Sequence, residues 1–178
     1  MIATFTDVQK ASPRDIPKLQ ALINSYAAQG IMLPRTEFEL AEHIRDFSVA
    51  YDDDGTLLGC AALQFYTPSS AEVRSLAVLP TAKGRGIGRL LVEALEEEAK
   101  THDLESIFAF TYVPGFFSRL GFGAVERGQL PLKVWKDCLR CPKFNNCDEI
   151  AMLKQFKART FCENGTSLAT SDLIQLSH

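Results

Sequence analysis

The sequence has no apolar run approaching the roughly 20 residues that a bilayer-spanning helix needs. Its opening residues, MIATFTDVQKASPRD, lack the long apolar centre and the cleavage site of an export signal. Charge of either sign is nearly balanced: 19 Lys and Arg against 22 Asp and Glu leave a net −3. That balance gives no global pull toward nucleic acid or anionic lipid. Cysteine is sparse, at five residues. An odd number without an export signal reads as free thiols or metal ligands in a reducing compartment, not as a disulfide framework. Histidine is scarcer still, and His43, His102 and His178 are scattered in a way that suits surface positions. These absences argue against membrane and nucleic-acid partners and make the cytoplasm the expected compartment. What remains is a globular balance of 46% hydrophobic and 23% charged residues over 178 positions, the length of about one domain.

Local patterns predict the elements. Residues 2–6 read as a short strand. Ser12, Pro13 and Asp15 form a capping box with proline at the first helical position. Ile16, Leu19, Leu22, Ile23 and Tyr26 follow at helical spacing, so residues 13–28 are predicted as an amphipathic helix that Gly30 ends. Thr36 and Glu39 repeat the box before a shorter helix with Phe38, Leu40, Ala41 and Ile44 on its apolar side. Residues 47–51 and 57–66 are strands joined by a turn around Asp54 and Gly55; Pro68, Ser69 and Ser70 break the second, and 72–78 form a third. A glycine-rich loop leads into a helix over 87–101 with Leu90, Leu91, Ala94 and Leu95 on one face. Residues 106–112 are a strand, 116–120 a short helix closed by Gly121, and 150–153 the start of a last strand. Strands and helices mix without strict alternation. The prediction is an α/β (α+β mixed) fold with a mixed central sheet and helices on both faces. One domain is expected over 1–157, with a Thr/Ser-rich peripheral tail over 158–178.

The most informative stretch runs from Val78 to Leu91, strand to loop to helix. Gly84, Gly86 and Gly88 allow close approach of a ligand to the backbone and turn N–H groups inward. The helix start contributes its positive dipole end, and Lys83, Arg85 and Arg89 add charge. Such a site suits a diphosphate. A Walker A loop would end in Gly-Lys-Ser/Thr, which is absent. A dinucleotide fold would carry GxGxxG after its first strand, whereas here GxGxG follows a meander. Lys83-Gly84-Arg85-Gly86-Ile87-Gly88 instead resembles the loop of the GNAT superfamily of acyl-CoA N-acyltransferases, with Lys83 where Arg or Gln is usual. The likeness extends to residues 72–78, similar to the fourth GNAT strand, and to residues 116–122, similar to its fourth helix and exit. Residues 32–35, 110–114 and 134–144, the last rich in Trp, Cys and Lys, further resemble the short single-domain bacterial N-acetylglutamate synthases.

The resemblance implies a sheet splayed between strands four and five, with the pantetheine arm of acetyl-CoA in the gap. It implies coenzyme contacts from Leu76, Ala77 and Val78, from Lys83, Gly84, Arg85, Gly86, Ile87, Gly88 and Arg89, and from Phe117. It further implies acetyl transfer to the α-amino group of glutamate, or of glutamine. An α-amine is mostly protonated near neutrality, its reference pKa being about 8, so a base is required. Glu72 holds the position where several GNAT enzymes carry one; its plainer reading is a solvated acid at a strand edge. Amides near Ala77 and Val78 would stabilise the oxyanion. The tyrosine that often protonates the leaving thiolate is replaced by Phe117. Tyr112 and Ser118 are the substitutes, although a thiol with a pKa near 8.5 leaves acceptably as thiolate. Arginine binds carboxylates bidentately, which makes Arg35 and Arg74 candidate clamps, with Lys133 as a helper. Glu72 and Arg74 alternate, so their side chains leave the same sheet face.

Cys138, Cys141 and Cys147 include a CxxC half-site for zinc. A second pair is missing, and the fourth ligand would have to be Cys60, Cys162, Asp148 or a histidine, so no metal is expected. Between 133 and 159 there are seven Lys/Arg against three Asp/Glu, a modest basic patch suited to an anionic small molecule. Two other readings keep the same loop: an acetyltransferase for a protein N-terminus, polyamine or antibiotic, and a non-catalytic CoA sensor. A homodimer would be unsurprising on base rates.

Overall fold

The computed structural model describes residues 7–130, 139, 141, 143 and 146–156. The strand expected over 2–6, Lys133, Trp135, Cys138, Cys162 and the tail over 158–178 lie outside the described residues.

The chain order is β1 (Asp7–Lys10), α1 (Ile16–Ala27), α2 (Glu37–Glu42), β2 (Phe47–Tyr51), β3 (Leu57–Thr67), β4 (Ser70–Val78), α3 (Ile87–Thr101), β5 (Ser106–Thr111), α4 (Pro114–Arg119), β6 (Gly123–Ala124) and β7 (Ile150–Gln155). Both capping boxes form. The Asp15 carboxylate accepts from the Ser12 N–H at 2.7 Å, ahead of a short 3-10 turn that feeds α1. Thr36 and Glu39 bond each other's backbone N–H groups at 3.2 and 2.9 Å. The second helix is shorter than its apolar pattern suggested. It stops at Glu42, Ile44 enters a 3-10 turn, and only Leu40 of the helix is buried. Phe38 is 71% exposed, because positions 38 and 41 fall outside the stripe that Leu40 and Ile44 define.

Among the described residues seven strands form one mixed sheet in the order β1-β2-β3-β4-β5-β7-β6. Every pairing is antiparallel except β4 with β5. Two cores lie on opposite faces, as two layers of helix require. On one face Leu19, Leu22 and Ile23 of α1 and Leu40 of α2 pack on Val49, Cys60, Ala62 and Ala77. On the other, Ile87, Leu91 and Leu95 of α3 and Phe117 of α4 pack on Ala61, Leu63, Val73 and Ile107. Full burial of such a side chain contributes about 1.5–3 kcal/mol. The buried stripe of α3 is Ile87, Leu91, Val92, Leu95 and Ala99. Leu90, expected inside, is 37% exposed. Lys154 of β7 joins Glu96 of α3 at 2.6 Å and donates to the Leu120 carbonyl after α4 at 2.8 Å. No helix among the described residues is long and apolar enough to cross a membrane.

Candidate active site

The strands β4 and β5 separate partway along. They pair in parallel only at Ser70–Ser106, Ala71–Ile107 and Glu72–Phe108. β4 continues to Val78 and β5 to Thr111, while β5 stays paired with β7 along its whole length. A wedge therefore opens beyond Glu72, edged by residues 73–78. Against β3, β4 stays registered, but the pairing slips between Cys60–Ala77 and Ala62–Arg74. Two steps on β3 face three on β4, which is a bulge. Ser75 carries it, at φ +52°, a left-handed conformation rare for a residue with a side chain. The buried Cys60 thiol donates to the Ser75 carbonyl at 3.6 Å, and burial pushes that thiol up to about 12.

Glu72 sits at the fork. Its side chain is 12% exposed and lies between two strands, so it is not the solvated edge acid of the plainer reading. Arg74 lies on the same face with Nη1 4.0 Å from the Glu72 carboxylate. It also donates to Gln64 Oε1 and, at 3.5 Å, reaches the Tyr66 hydroxyl, both on β3. Gln64 and Tyr66 escaped the sequence reading. Their signal was two polar positions alternating with the buried Ala62, but only the cross-strand register identifies Arg74 as their partner.

Arg35 faces a small cleft beside Arg74 from the loop between α1 and α2. The cleft is lined by Arg35, Arg74, Gln64, Glu39, Asp46 and Ser75, among others. Asn24 of α1 fixes the Arg35 backbone twice, donating to its carbonyl at 3.0 Å and accepting from its N–H at 2.9 Å. Burial holds the Asp46 carboxyl above its usual range, against the opposing hydrogen bond and charge of His43.

At the far end of β4 the chain turns through Pro80 into the glycine loop. Gly84 and Gly86 have φ of +78° and +83°, and a Cβ at either would meet nothing within 4 Å. The loop is thus a left-handed cradle open to solvent, with Gly86 as the N-cap of α3. The first bond that closes on this cap runs from Leu90 N–H to the Gly86 carbonyl at 3.0 Å. The N–H groups of Ile87, Gly88 and Arg89 therefore point outward without intrahelical partners. Lys83, Arg85 and Arg89 are exposed around them, and Arg89 is paired with Glu93 at 2.9 Å. The positively ended, uncrowded cradle fits a diphosphate, and the open edge of β4 fits an extended arm beside it.

Phe117 is 3% exposed and packed edge-on between Phe116 and Phe122. It offers no proton, and Phe116 is the ring that approaches Gly88 across the loop. Tyr112 lies just past β5 and is exposed. Its hydroxyl accepts from Lys143 Nζ at 3.1 Å, and Lys143 reaches Asp148 at 3.4 Å. Burial, together with the nearby carboxylates, raises the Tyr112 phenol despite the Lys143 bond. Lys143 and Asp148 were not expected at this position. Ser118 is exposed on α4. Cys60, Cys141 and Cys147 are free thiols, and among the described residues no group of three or more His, Cys, Asp or Glu could hold a metal.

A family model described as the acetyltransferase (GNAT) family matches residues 18–122. An uncharacterized N-acetyltransferase of Chlorobaculum tepidum is 45% identical over 86% of this chain and 99% of its own length. An amino-acid acetyltransferase of Mycobacterium tuberculosis is 32% identical over 75% of this chain and 77% of its own. Among solved structures, N-acetylglutamate synthase from Neisseria gonorrhoeae, complexed with coenzyme A and N-acetyl-glutamate, superposes with a TM-score of 0.78 at 30% identity. That match covers 86% of this chain and 35% of the synthase, so the chain spans about a third of its length.

Proposed function

The chain belongs to the acetyltransferase (GNAT) family, N-acetyltransferases that take their acetyl group from acetyl-CoA, and on that premise we propose that its acceptor is the α-amino group of L-glutamate, with L-glutamine as the alternative. The pathway implied is arginine biosynthesis, in which this acetylation is the first step. The proposed catalytic unit is residues 1–157, with 158–178 appended to it.

One observation carries the reading. A shielded carboxylate and a guanidinium, Glu72 and Arg74, share one sheet face at the fork of the sheet, and Arg35 lines a small cleft together with Arg74. An α-amino acid needs a base for its ammonium and a cation for its carboxylate, and this pair supplies both. Arg74 is oriented by Gln64 and Glu72, so in this role it is a pre-positioned clamp. Arg35, its backbone fixed by Asn24, serves the second carboxylate of glutamate or the amide of glutamine, with Lys133 assisting.

In the proposed ternary complex the coenzyme's diphosphate rests on residues 83–89 and its arm runs along Leu76, Ala77 and Val78, with Phe117 walling the gap from below. Glu72 accepts a proton from the ammonium group, directly or through water. The freed nitrogen forms a bond to the thioester carbonyl carbon. The Val78 backbone N–H, turned toward the gap, holds the negative oxygen of the tetrahedral adduct, while Ala77, expected to share this role, turns its N–H to Cys60 of β3. The C–S bond then breaks, the electron pair goes to sulfur, the nitrogen gives up its second proton to solvent, and the thiolate takes a proton from solvent, directly or through Tyr112, which solvent reprotonates. The proton on Glu72 returns to solvent. A thiol near 8.5 is a competent leaving group, so Tyr112 contributes less than Glu72.

Release of CoA thiol with a panel of amino acids tests the assignment. Glutamate or glutamine should give the highest kcat/KM, and Arg74→Ala should raise KM for that acceptor about tenfold or more. Turnover of a polyamine or a peptide N-terminus ahead of both amino acids would overturn the acceptor class.

A further inference from the structure

The register at the end of β4 orients one peptide group toward the gap. The Leu79 N–H donates to the Leu58 carbonyl at 2.7 Å, and Val78 lies opposite Gly59. In an antiparallel ladder bonded and non-bonded pairs alternate. Leu79 and Leu58 form a bonded pair, so the Val78 N–H and C=O are turned away from β3, toward the side where β5 has departed. The Val78 carbonyl is nevertheless engaged. Tyr26, on the last turn of α1, donates its hydroxyl to it at 2.6 Å. Tyr26 is 7% exposed, and its ring carries a second group of the donor side: Nζ of Lys83 sits 5.0 Å from the ring centroid. One tyrosine from the acceptor-side helix thus touches both the strand edge and the first basic residue of the glycine loop. Two residues earlier, Asn24 holds the Arg35 backbone.

We propose that Tyr26 is a positioning residue for acetyl-CoA: its hydroxyl fixes the plane of the peptide group after Val78, and its ring seats Lys83 beside the diphosphate cradle. A carbonyl oxygen has two lone pairs, so the Tyr26 bond leaves one for the coenzyme's amide. An unfixed peptide plane would have to be ordered on binding, and the tyrosine removes that cost in advance. Lys83 over an aromatic face likewise keeps its charge at the loop, with no acidic partner among the described residues to compete with the diphosphate. The inference rests on the coenzyme lying along β4 as proposed above, and it does not depend on which amine is acetylated.

The test is titration of CoA alone into the full chain and its variants. Tyr26→Phe keeps the ring and removes the hydroxyl; the loss should be about tenfold in CoA affinity, the size of one well-made hydrogen bond. The KM for acetyl-CoA should rise in parallel, while the KM for the acceptor and kcat stay within about twofold. Tyr26→Leu also removes the seat of Lys83 and should weaken CoA further. Lys83→Met should then cost less in the Tyr26→Leu background than in the wild type. Tyr51→Phe is the structural control. Its hydroxyl also bonds a partner, Asp15 at 2.5 Å, but it lies on β2 away from the gap, so it should lower stability and leave CoA affinity unchanged. CoA affinity that is unchanged or tighter in Tyr26→Phe overturns the proposal, as does an equal loss in Tyr51→Phe. Failure of the coenzyme placement itself reads differently: Arg85→Ala would then bind CoA as tightly as the wild type.

Discussion

The strand β4 has two halves with opposite surroundings. Residues 70–72 are paired on both sides, to β3 and to β5. Their closed end is fastened by the Ser106 hydroxyl bonding the Ser70 hydroxyl at 3.1 Å. Residues 73–78 keep β3 but lose β5, and they carry the Ser75 bulge. An unpaired edge is ordinarily a hazard. Here it lies inside the sheet, where another chain has no access but an extended ligand arm does. In the proposed reading the closed half supplies rigidity and Glu72 as the base, and the open half supplies backbone groups.

The sharpest way to break that division is Glu72→Gln, at the last residue of the closed half. The amide keeps the shape and cannot accept a proton. We expect kcat to fall about 100-fold or more, the usual range for loss of a general base, with CoA affinity unchanged. A variant that retains kcat within threefold would show that the closed half is scaffold alone.

Gly59→Ala strikes the opposite half. A Cβ there would stand 2.9 Å from the Ala77 carbonyl, 3.1 Å from Leu91 and 3.2 Å from Ile87. The first contact is backbone and cannot step aside, so β3 must move off the open half or off α3. Overpacking of this kind costs about 1–3 kcal/mol, readable as a lower urea midpoint. A weaker CoA complex should accompany it. The smaller counterpart is Ser70→Ala, which strips the fastening at the closed end. It should cost about 1 kcal/mol and leave CoA affinity alone, because the open half is untouched.

The sequence carried the donor side better than the acceptor side, for physical reasons. Glycines at left-handed positions, a helix start and flanking cations leave a local signature, so residues 83–89 could be read as a cradle. The α3 helix, Ile87–Thr101, and the β2 strand, Phe47–Tyr51, fall where periodicity placed them. The bulge at Ser75 has no such signature, since serine has no preference for φ +52°. It is imposed by β3 and by Cys60 beneath it. The polar contacts of Gln64, Tyr66 and Tyr26 were invisible for a related reason: each acts on a partner 8 to 52 positions away, and only the fold brings them together. Leu90 misled because four apolar residues in α3 can define two adjacent stripes, and packing on the sheet chose the one through Val92.

The least effect is expected where the two sides of the fork are tied together. Lys154 belongs to β7, opposite Ile107 in the closed half, and Glu96 to α3, which packs on β3 and β4; their 2.6 Å contact ties helix to strand at the closed end. Burial alone would raise the Glu96 carboxyl, but hydrogen bonds from Lys154 and from Lys100, the latter at 3.2 Å, outweigh it and hold the group below its ordinary value of 4.5. The unfolded chain thus takes up this proton at a higher pH than the folded chain does. The stabilisation is complete above 4.5 and is lost as pH falls through the lower folded value. Glu96→Gln should therefore be less stable than the wild type at neutral pH by about 0.5–1 kcal/mol, and the gap should close as pH falls below 4.5. Thermal melts across that range decide it. A gap that persists in acid would mean that Glu96 acts by packing and that the closed end is held without help from this ion pair.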